Sequence, residues 1–177
     1  MADKTPIVIP DGVDAEGSLL LLWVPTLANP TKPTYAELTA DGVVDISCYL
    51  DKGGFKPGAD VDKYKIERLC SKNVVEKLGT VTYSIDKLVY IYDVQNPESE
   101  ANKAYRALVE GAEGYLVSRW GVDLEEARNL RQTDVIDVHK VELGPRVKQP
   151  PEANSELKVE QEVGAVQLVA EDYKLTA

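Results

Sequence analysis

At 177 residues the chain is long enough for one domain with a hydrophobic core and short for two. Its 44% hydrophobic and 28% charged residues are ordinary for a globular protein, which excludes a disordered or fibrous chain. The formal net charge of −10 repels phosphate backbones and therefore disfavours nucleic-acid binding through counterion release. The N-terminus lacks a basic segment followed by an apolar one, and the apolar run at 19–24 is far shorter than the roughly 20 residues of a membrane span. We therefore expect a soluble protein made in a cytoplasm.

The first third of the chain predicts an arm followed by short elements. Residues 1–17 contain two prolines and two glycines with acidic residues between them, which predicts an extended N-terminal arm. The continuous apolar run at 18–24 predicts a strand that is buried on both faces. Residues 34–38 have the spacing of a capping box and predict a single helical turn. A further strand is expected at 43–48.

The middle of the chain contains the main irregular stretch. Residues 51–62 include three glycines and a proline, which argues against regular structure. We expect residues 51–72 to form a long exposed loop or a flexible hairpin tip, and loops of this length often contact partners. Alternating apolar residues predict a strand at 81–92, and its register shifts at residues 86–87 as it would at a bulge or bend.

The remaining part of the chain predicts one helix and several strands. Asn96 is a suitable cap, Pro97 suits the first helical turn, and Gly111 ends an apolar stripe of period 3.6. The helix is therefore expected at about Asn96–Glu110. Strands are predicted at 114–120, 135–143, 156–163 and 165–170, with a further helical turn at 122–128. The sequence thus predicts a single β-rich domain over residues 18–177, flanked by one main helix.

The only histidine offers the most plausible catalytic or metal-binding group. His139 and Asp137 lie on the same face of a predicted strand, and Asp134 is close in sequence. However, Lys140 and Glu142 indicate that the strand has a wet face, and no third group is seen to converge on the pair. We therefore interpret this stretch as a solvated strand edge.

Other chemistry is not supported by the sequence. The glycine-rich segment 53–58 lacks the Gly-Lys-Ser/Thr ending of a phosphate loop, and no Gly-x-Ser-x-Gly nucleophile motif is present. The stretch closest to a nucleic-acid-binding pattern of basic and aromatic residues is 63–68, and acidic residues within and beside it argue against that role. Cys48 and Cys70 are expected to be buried thiols, although a disulfide between them stays open, and one histidine with two cysteines argues against zinc. We predict no enzyme activity, no cofactor and no metal.

An ordered set of segments carries a family resemblance over about Leu22–Val163. The segments are Cys48–Leu50, Arg68–Ser71, Glu98–Gly111, Gly114–Gly121 and Arg146–Asn154. Together they resemble the major tail tube proteins of long-tailed, non-contractile bacteriophages that infect actinobacteria. None of these segments is a mechanistic motif, and the resemblance rests on their order.

The resemblance implies a fold and an assembly. Such proteins fold as a β-sandwich or barrel-like pair of sheets with a flanking helix, and six copies close into a ring. Rings stack into a hollow tube in the virion, through which double-stranded DNA passes without specific binding when the genome is ejected. The implied partners are further copies of the chain, a tape-measure protein, a tail terminator and distal tail or baseplate proteins.

The same resemblance suggests two sets of residues for assembly. Ring-stacking contacts are expected from the N-terminal arm and the glycine-rich loop, at Ile7, Val8, Ile9, Gly53, Gly54, Phe55 and Lys56. The wall of the channel is expected to be acidic so that DNA phosphates do not adhere, with Asp86, Asp93, Asp137 and Glu160 as candidates. Such a wall acts at close range, because the Debye length at physiological salt is only about 8 Å.

Three alternatives stay open at this point. The first is another virion protein of similar build, namely a tail terminator, a head–tail joining protein or a capsid decoration protein. The second is an acidic binding module without a role in a virion, and an enzyme is the third. Residues 171–177 match no pattern and are left without a role.

Overall fold

The computed structural model describes residues 8–176. The strands and α-helices in this range are β1 (Leu19–Val24), α1 (Tyr35–Leu38), β2 (Val44–Asp45), β3 (Pro57–Ile66), β4 (Val75–Ile85), β5 (Lys87–Ile91), α2 (Lys103–Ala107), β6 (Glu113–Trp120), β7 (Val135–Lys148) and β8 (Lys158–Lys174). Two 3-10 turns, Ser47–Tyr49 and Glu100–Asn102, complete the regular structure.

Six of the strands form one curled antiparallel sheet in the order β2-β1-β6-β7-β8-β5. The strands β3 and β4 pair only with each other and form a separate two-stranded sheet. The mainly β fold with one short flanking helix is thus confirmed.

The sheet has a hydrophobic core on each face. β1 contributes residues to both cores, because its side chains alternate between the two faces of the sheet. Leu21 and Trp23 lie in one core, whereas Leu20 and Leu22 lie in the other. This alternation explains why the strand is continuously apolar. The first core is closed by α2, the 3-10 turn at Ser47–Tyr49 and Phe55, and the second is closed by α1, Leu130 and Leu175.

The longest strand, β8, bends where two strands were predicted. Ala165 has a φ of 50° and Asp172 a φ of 49°, and the register between β7 and β8 shifts at several points. Extra residues of this kind kink a strand and increase its twist. The predicted strands 156–163 and 165–170 are therefore one strand with a bend, and that bend helps to curl the sheet.

The main helix is shorter than predicted. The Glu100–Asn102 turn leads into α2, and Ser99 rather than Asn96 caps the turn. The reason lies in Asn102, which is 4% exposed and whose side-chain Nδ2 donates to the carbonyl oxygens of Asp93 and Asn96. These bonds hold residues 93–97 in a loop instead of a first helical turn.

Smaller predictions differ in outcome. The capping box at α1 is present, since Thr34 and Glu37 each accept a hydrogen bond from the other's backbone amide. The predicted strand 43–48 is only the two-residue β2 followed by a 3-10 turn. The predicted helical turn at 122–128 is reduced to one bond, from the Ala127 amide to the Asp123 carbonyl oxygen.

Candidate assembly surfaces

A long hairpin made of β3 and β4 has no strand pairing with the main sheet. The stretch expected to be irregular contains a strand instead, because Pro57 occupies the first strand position, where its missing amide hydrogen is tolerated. Gly58 then pairs with Ser84 in an antiparallel ladder that runs to Ile66 and Val75, with one register shift between Val61 and Lys63. Ten residues of strand extend about 33 Å. The base of the hairpin lies against the main sheet, where Pro57 and Tyr83 share a cleft with Leu168, and the distal part is exposed up to an irregular turn at about 67–74.

This hairpin carries large hydrophobic side chains that the subunit does not cover. They are Val61, Tyr64, Leu69, Val74, Val75, Leu78, Val81 and Tyr83. Leu78 is 70% exposed, and Leu69 at the turn is fully exposed. A two-stranded hairpin is marginally stable alone, and contiguous exposed apolar surface marks an interaction site. The geometry fits a hairpin that is completed by another protein surface.

The distal half of the hairpin also differs from the rest of the chain in charge. Within residues 63–77 there are five basic side chains and two acidic ones, although the whole chain has a formal net charge of −10. The basic residues are Lys63, Lys65, Arg68, Lys72 and Lys77. A basic end on an acidic protein favours contact with an acidic surface.

The predicted ring-stacking residues fall into two groups. Val8 and Ile9 are each 83% exposed, and Ile7 lies outside the described residues. Lys56 is exposed, and Gly53 has a φ of 111°, a backbone conformation that suits glycine. These four described positions are available to a partner.

Gly54 and Phe55 lie inside the subunit instead. The Gly54 amide donates to the Asp51 carbonyl oxygen at 2.8 Å, and the Gly54 carbonyl oxygen accepts from the Val89 amide at 3.2 Å. Phe55 is 7% exposed, and its ring centroid is 6.3 Å from the rings of both Trp120 and His139. Both residues attach the hairpin base to the sheet, so their side of the loop is not a free surface.

The four acidic residues suggested for a channel wall do not form one group. Asp86 is exposed at the β4–β5 junction, whereas Asp93 accepts hydrogen bonds from two amides of its own loop. Asp137 accepts from the Asp172 amide at 2.8 Å. Glu160 opposes Val147, ten residues further along β7 than Asp137, a separation of about 33 Å.

Glu160 nevertheless belongs to a coherent polar surface. Its Oε2 lies 3.1 Å from Lys87 Nζ, and Gln149 donates to its Oε1 at 2.6 Å. The hydrogen bond from Gln149 and then that from Lys87 lower the pKa of Glu160. Glu162 lies 3.5 Å from Lys87 and is 55% exposed. This face of β5 and the first half of β8 is thus charged and wet.

His139 is buried, and of the two aspartates near it in sequence only Asp137 lines the same cleft. The histidine is 6% exposed beside a cleft of about 250 Å³ at the hairpin base, which also contains Tyr83, Asp137 and Glu171. Burial lowers the pKa of His139, against a smaller opposing influence of Asp137. Asp134 is instead paired with Arg119 and Arg131. Within residues 8–176, no group of three or more histidine, cysteine or acidic side chains is arranged to hold a metal.

A ladder of cations and tyrosines was missed by the sequence analysis. The Arg146 guanidinium lies 4.2 Å from the Tyr105 ring centroid, and Tyr105 stacks on Tyr92 at 6.1 Å. Lys148 Nζ lies 5.8 Å from the Tyr92 centroid. Arg146 and Lys148 share a face of β7, and that alternation was the available signal. The contact with Tyr92 and Tyr105 was set only by folding.

The last two features are the exposure of the cysteines and the length of the helices. Cys48 and Cys70 are exposed free thiols, so the expectation of buried cysteines was wrong; Cys70 lies in the hairpin turn, where nothing covers it. Among the helices of the described part of the chain, none has the length and apolarity to cross a membrane.

Comparison with known proteins agrees with the resemblance to phage tail tube proteins. A search of curated proteins returned no match. Residues 8–177 match the family model described as phage tail tube protein, which covers nearly the whole chain and every surface described above. The chain belongs to the family of phage tail tube proteins and is a structural component of the virion tail.

Proposed function

We propose that six copies of this chain close into a ring and that rings stack into a hollow tube, the conduit for genome ejection. The observation that carries the proposal is the β3–β4 hairpin, whose strands are about 33 Å long and which exposes apolar side chains that a lone subunit leaves in water. Membership of the tail tube family supports the same role. The role is structural and not catalytic. Double-stranded DNA passes through the lumen without specific binding.

Stacking contacts follow from the surfaces that the subunit leaves uncovered. We assign the main contact to the hairpin at 57–85, with Val8, Ile9, Gly53 and Lys56 as additional contacts. The hairpin turn is basic, so its receiving surface on the next ring is expected to be acidic. A tape-measure protein, a tail terminator and distal tail or baseplate proteins are the further partners proposed for such a tube.

The charged face around Glu160 is the best candidate for the channel wall. Glu160 and Glu162 lie on a part of the sheet surface that neither core reaches, and Lys87 neutralises their charge only in part. Carboxylates on this face would repel DNA phosphates at contact range. Asp86 adjoins this face in sequence, whereas Asp93 and Asp137 are engaged in loop and strand hydrogen bonds. We therefore retain Glu160 and Asp86 as the favoured wall residues.

The proposal is tested by purifying the full chain and examining it by negative-stain electron microscopy with light scattering. We expect hollow tubes or stacked six-fold rings. The double variant Leu69→Ser/Leu78→Ser removes apolar side chains from the hairpin and is expected to block stacking without changing the unfolding midpoint. Leu157→Ser is the matched control, because Leu157 is 47% exposed outside the hairpin.

Two outcomes would contradict parts of this proposal. Tubes formed equally well by Leu69→Ser/Leu78→Ser would remove the hairpin from the stacking contact. Discrete rings of the unaltered chain that never stack would favour a tail terminator or a head–tail joining protein.

A further inference from the structure

The N-terminal segment before β1 is exposed and contains both apolar and acidic residues. Residues 8–17 are exposed and form neither helix nor strand. Val8 and Ile9 are each 83% exposed and Val13 is 75% exposed. The acidic residues of this segment are Asp11, Asp14 and Glu16, and it has no basic residue. We call residues 8–16 the acidic arm.

The acidic arm leaves the main sheet at one particular end. Val13 Cγ1 lies 3.8 Å from the Cβ position at Gly121, and Leu19 pairs with Trp120 at the end of β6. Since β6 and β7 are antiparallel, this is the end at which β7 begins. Pro10 favours an extended conformation for Ile9, which precedes it.

The cation–tyrosine ladder lies at the opposite end, where β7 finishes. The strand of 14 residues from Val135 to Lys148 spans about 45 Å. The nine residues of the acidic arm span at most about 32 Å when fully extended, so an arm that begins at the other end does not reach the ladder of its own subunit. A second copy placed head to tail brings its arm to the ladder.

The ladder has the chemistry to receive such an arm. Beside it is a cleft of about 220 Å³ whose lining includes Tyr92, Val94, Pro97, Tyr105 and Arg106. None of the ion pairs among residues 8–176 involves Arg106, Arg146 or Lys148. Arg106 and Arg146 donate to backbone carbonyl oxygens, and Asp93 and Glu98 also line the cleft. In a chain with a formal net charge of −10, three cations without an ion-pair partner among the described residues still favour an acidic ligand.

We propose that the cation–tyrosine ladder of one copy binds the acidic arm of a second copy, in a head-to-tail contact between the opposite ends of the sheet. Ile9 and Pro10 enter the tyrosine-lined cleft, as proline-containing extended segments do in aromatic grooves. The carboxylates of Asp11 and Asp14 pair with Arg146 and Lys148. A head-to-tail contact is heterologous and repeats along an axis, so this inference rests on the proposed stacking of rings.

Cross-linking between two different cysteine variants tests the contact. In a Cys48→Ser/Cys70→Ser background, one protein carries Ile9→Cys and the other carries Val94→Cys, which lies in the cleft and is 49% exposed. Any disulfide between them joins two copies. The control partner carries Gln132→Cys, an exposed position next to the start of β7. We expect about fivefold more cross-linked dimer with Val94→Cys than with Gln132→Cys, and loss of that excess when Arg146→Glu/Lys148→Glu is added to the Val94→Cys protein.

Electron microscopy of the same samples separates the two proposals. Tubes that form with no preference for Val94→Cys would overturn the docking of the arm while the tube function stands. If the chain stays monomeric, a fluorescent peptide of residues 8–17 is titrated against the full chain by anisotropy. Binding that Arg146→Glu/Lys148→Glu weakens at least about tenfold, and Lys63→Glu/Lys65→Glu does not, supports the docking site. The docking site is overturned if the peptide does not bind at about millimolar protein. It is also overturned if Lys63→Glu/Lys65→Glu, and not Arg146→Glu/Lys148→Glu, abolishes binding of the peptide.

Discussion

The guanidinium of Arg119 and the carboxylate of Asp134 form a buried ion pair, with Nη1 and Oδ2 3.0 Å apart and side-chain exposures of 1% and 6%. Arg119 also donates to the carbonyl oxygens of Ala127 and Asn129. One side chain in β6 thus fixes the segment that connects β6 to β7. That segment, together with α1, closes the second core of the sheet.

Arg119→Met is expected to destabilise the subunit strongly. It leaves the Asp134 carboxylate and two carbonyl oxygens without this partner, and breaking a buried pair in this way costs about 3–5 kcal/mol. Urea unfolding measures the loss. Arg128→Met is the control, since Arg128 is 58% exposed in its pair with Asp45 and should change stability by less than about 1 kcal/mol. Equal losses of unfolding free energy for the two substitutions would show that the buried ion pair stabilises the subunit no more than the exposed one.

Stability should fall as the pH drops below about 6.5 because of His139. Burial lowers its pKa below the ordinary value of 6.5, so the unfolded chain takes up a proton in this range more readily than the folded one. The contribution is fully present above pH 6.5 and is lost as the pH falls through the lowered pKa. The facing groups are Asp137, Glu171 and Tyr83.

The chain has one histidine, so a single substitution isolates this effect. The free energy of unfolding of the unaltered chain, measured by urea unfolding at pH 7, 6 and 5, should decline by at most about 1.4 kcal/mol per pH unit, and that of His139→Phe should stay flatter. A parallel decline in both proteins would assign the pH dependence to carboxylates instead.

Gly54→Ala is expected to damage the subunit itself. A Cβ at this position would lie 2.4 Å from the Val89 carbonyl oxygen, and neither backbone segment can move without breaking the hydrogen bonds between them. We expect a loss of more than about 2 kcal/mol in unfolding free energy. Gly12→Ala is the matched control, because nothing lies within 4 Å of its Cβ position. A stable Gly54→Ala subunit with a stacking defect would restore the original expectation that this glycine acts between rings.

Gln161→Leu should show how much a buried cluster of hydrogen-bonded polar groups contributes to the free energy of unfolding. Gln161 accepts a hydrogen bond from Tyr90 Oη at 2.8 Å and donates to the carbonyl oxygens of Leu108 and Gly144. The substitution leaves these buried groups without partners, for an expected loss of about 2–4 kcal/mol. A double-mutant cycle with Tyr90→Phe should give a coupling of about 1 kcal/mol. Strict additivity would contradict the assigned bond.

The candidate surfaces were only partly predictable from the sequence. Glycine, proline and charge predicted exposed chain at residues 8–17 and over much of residues 51–72, but they did not predict β3 within the second stretch. The family resemblance pointed to assembly. Within residues 51–72, however, Gly54 and Phe55 were taken for surface residues. Local composition does not reveal that Val89, Trp120 and His139 pack against them, since those residues lie more than thirty positions away.

What the sequence determined by itself was the set of local structures with a clear period or cap. The apolar run of β1, the capping box of α1 and the alternation in β6 and β7 each reflect interactions within a few residues. These patterns were sufficient for a mainly β fold with one helix. What only the tertiary structure decided was which distant residues meet. The order of the strands brings Arg146 over Tyr105 and leaves β3 and β4 without a third strand, because long-range pairing is set by the packing of the whole sheet and not by local propensity.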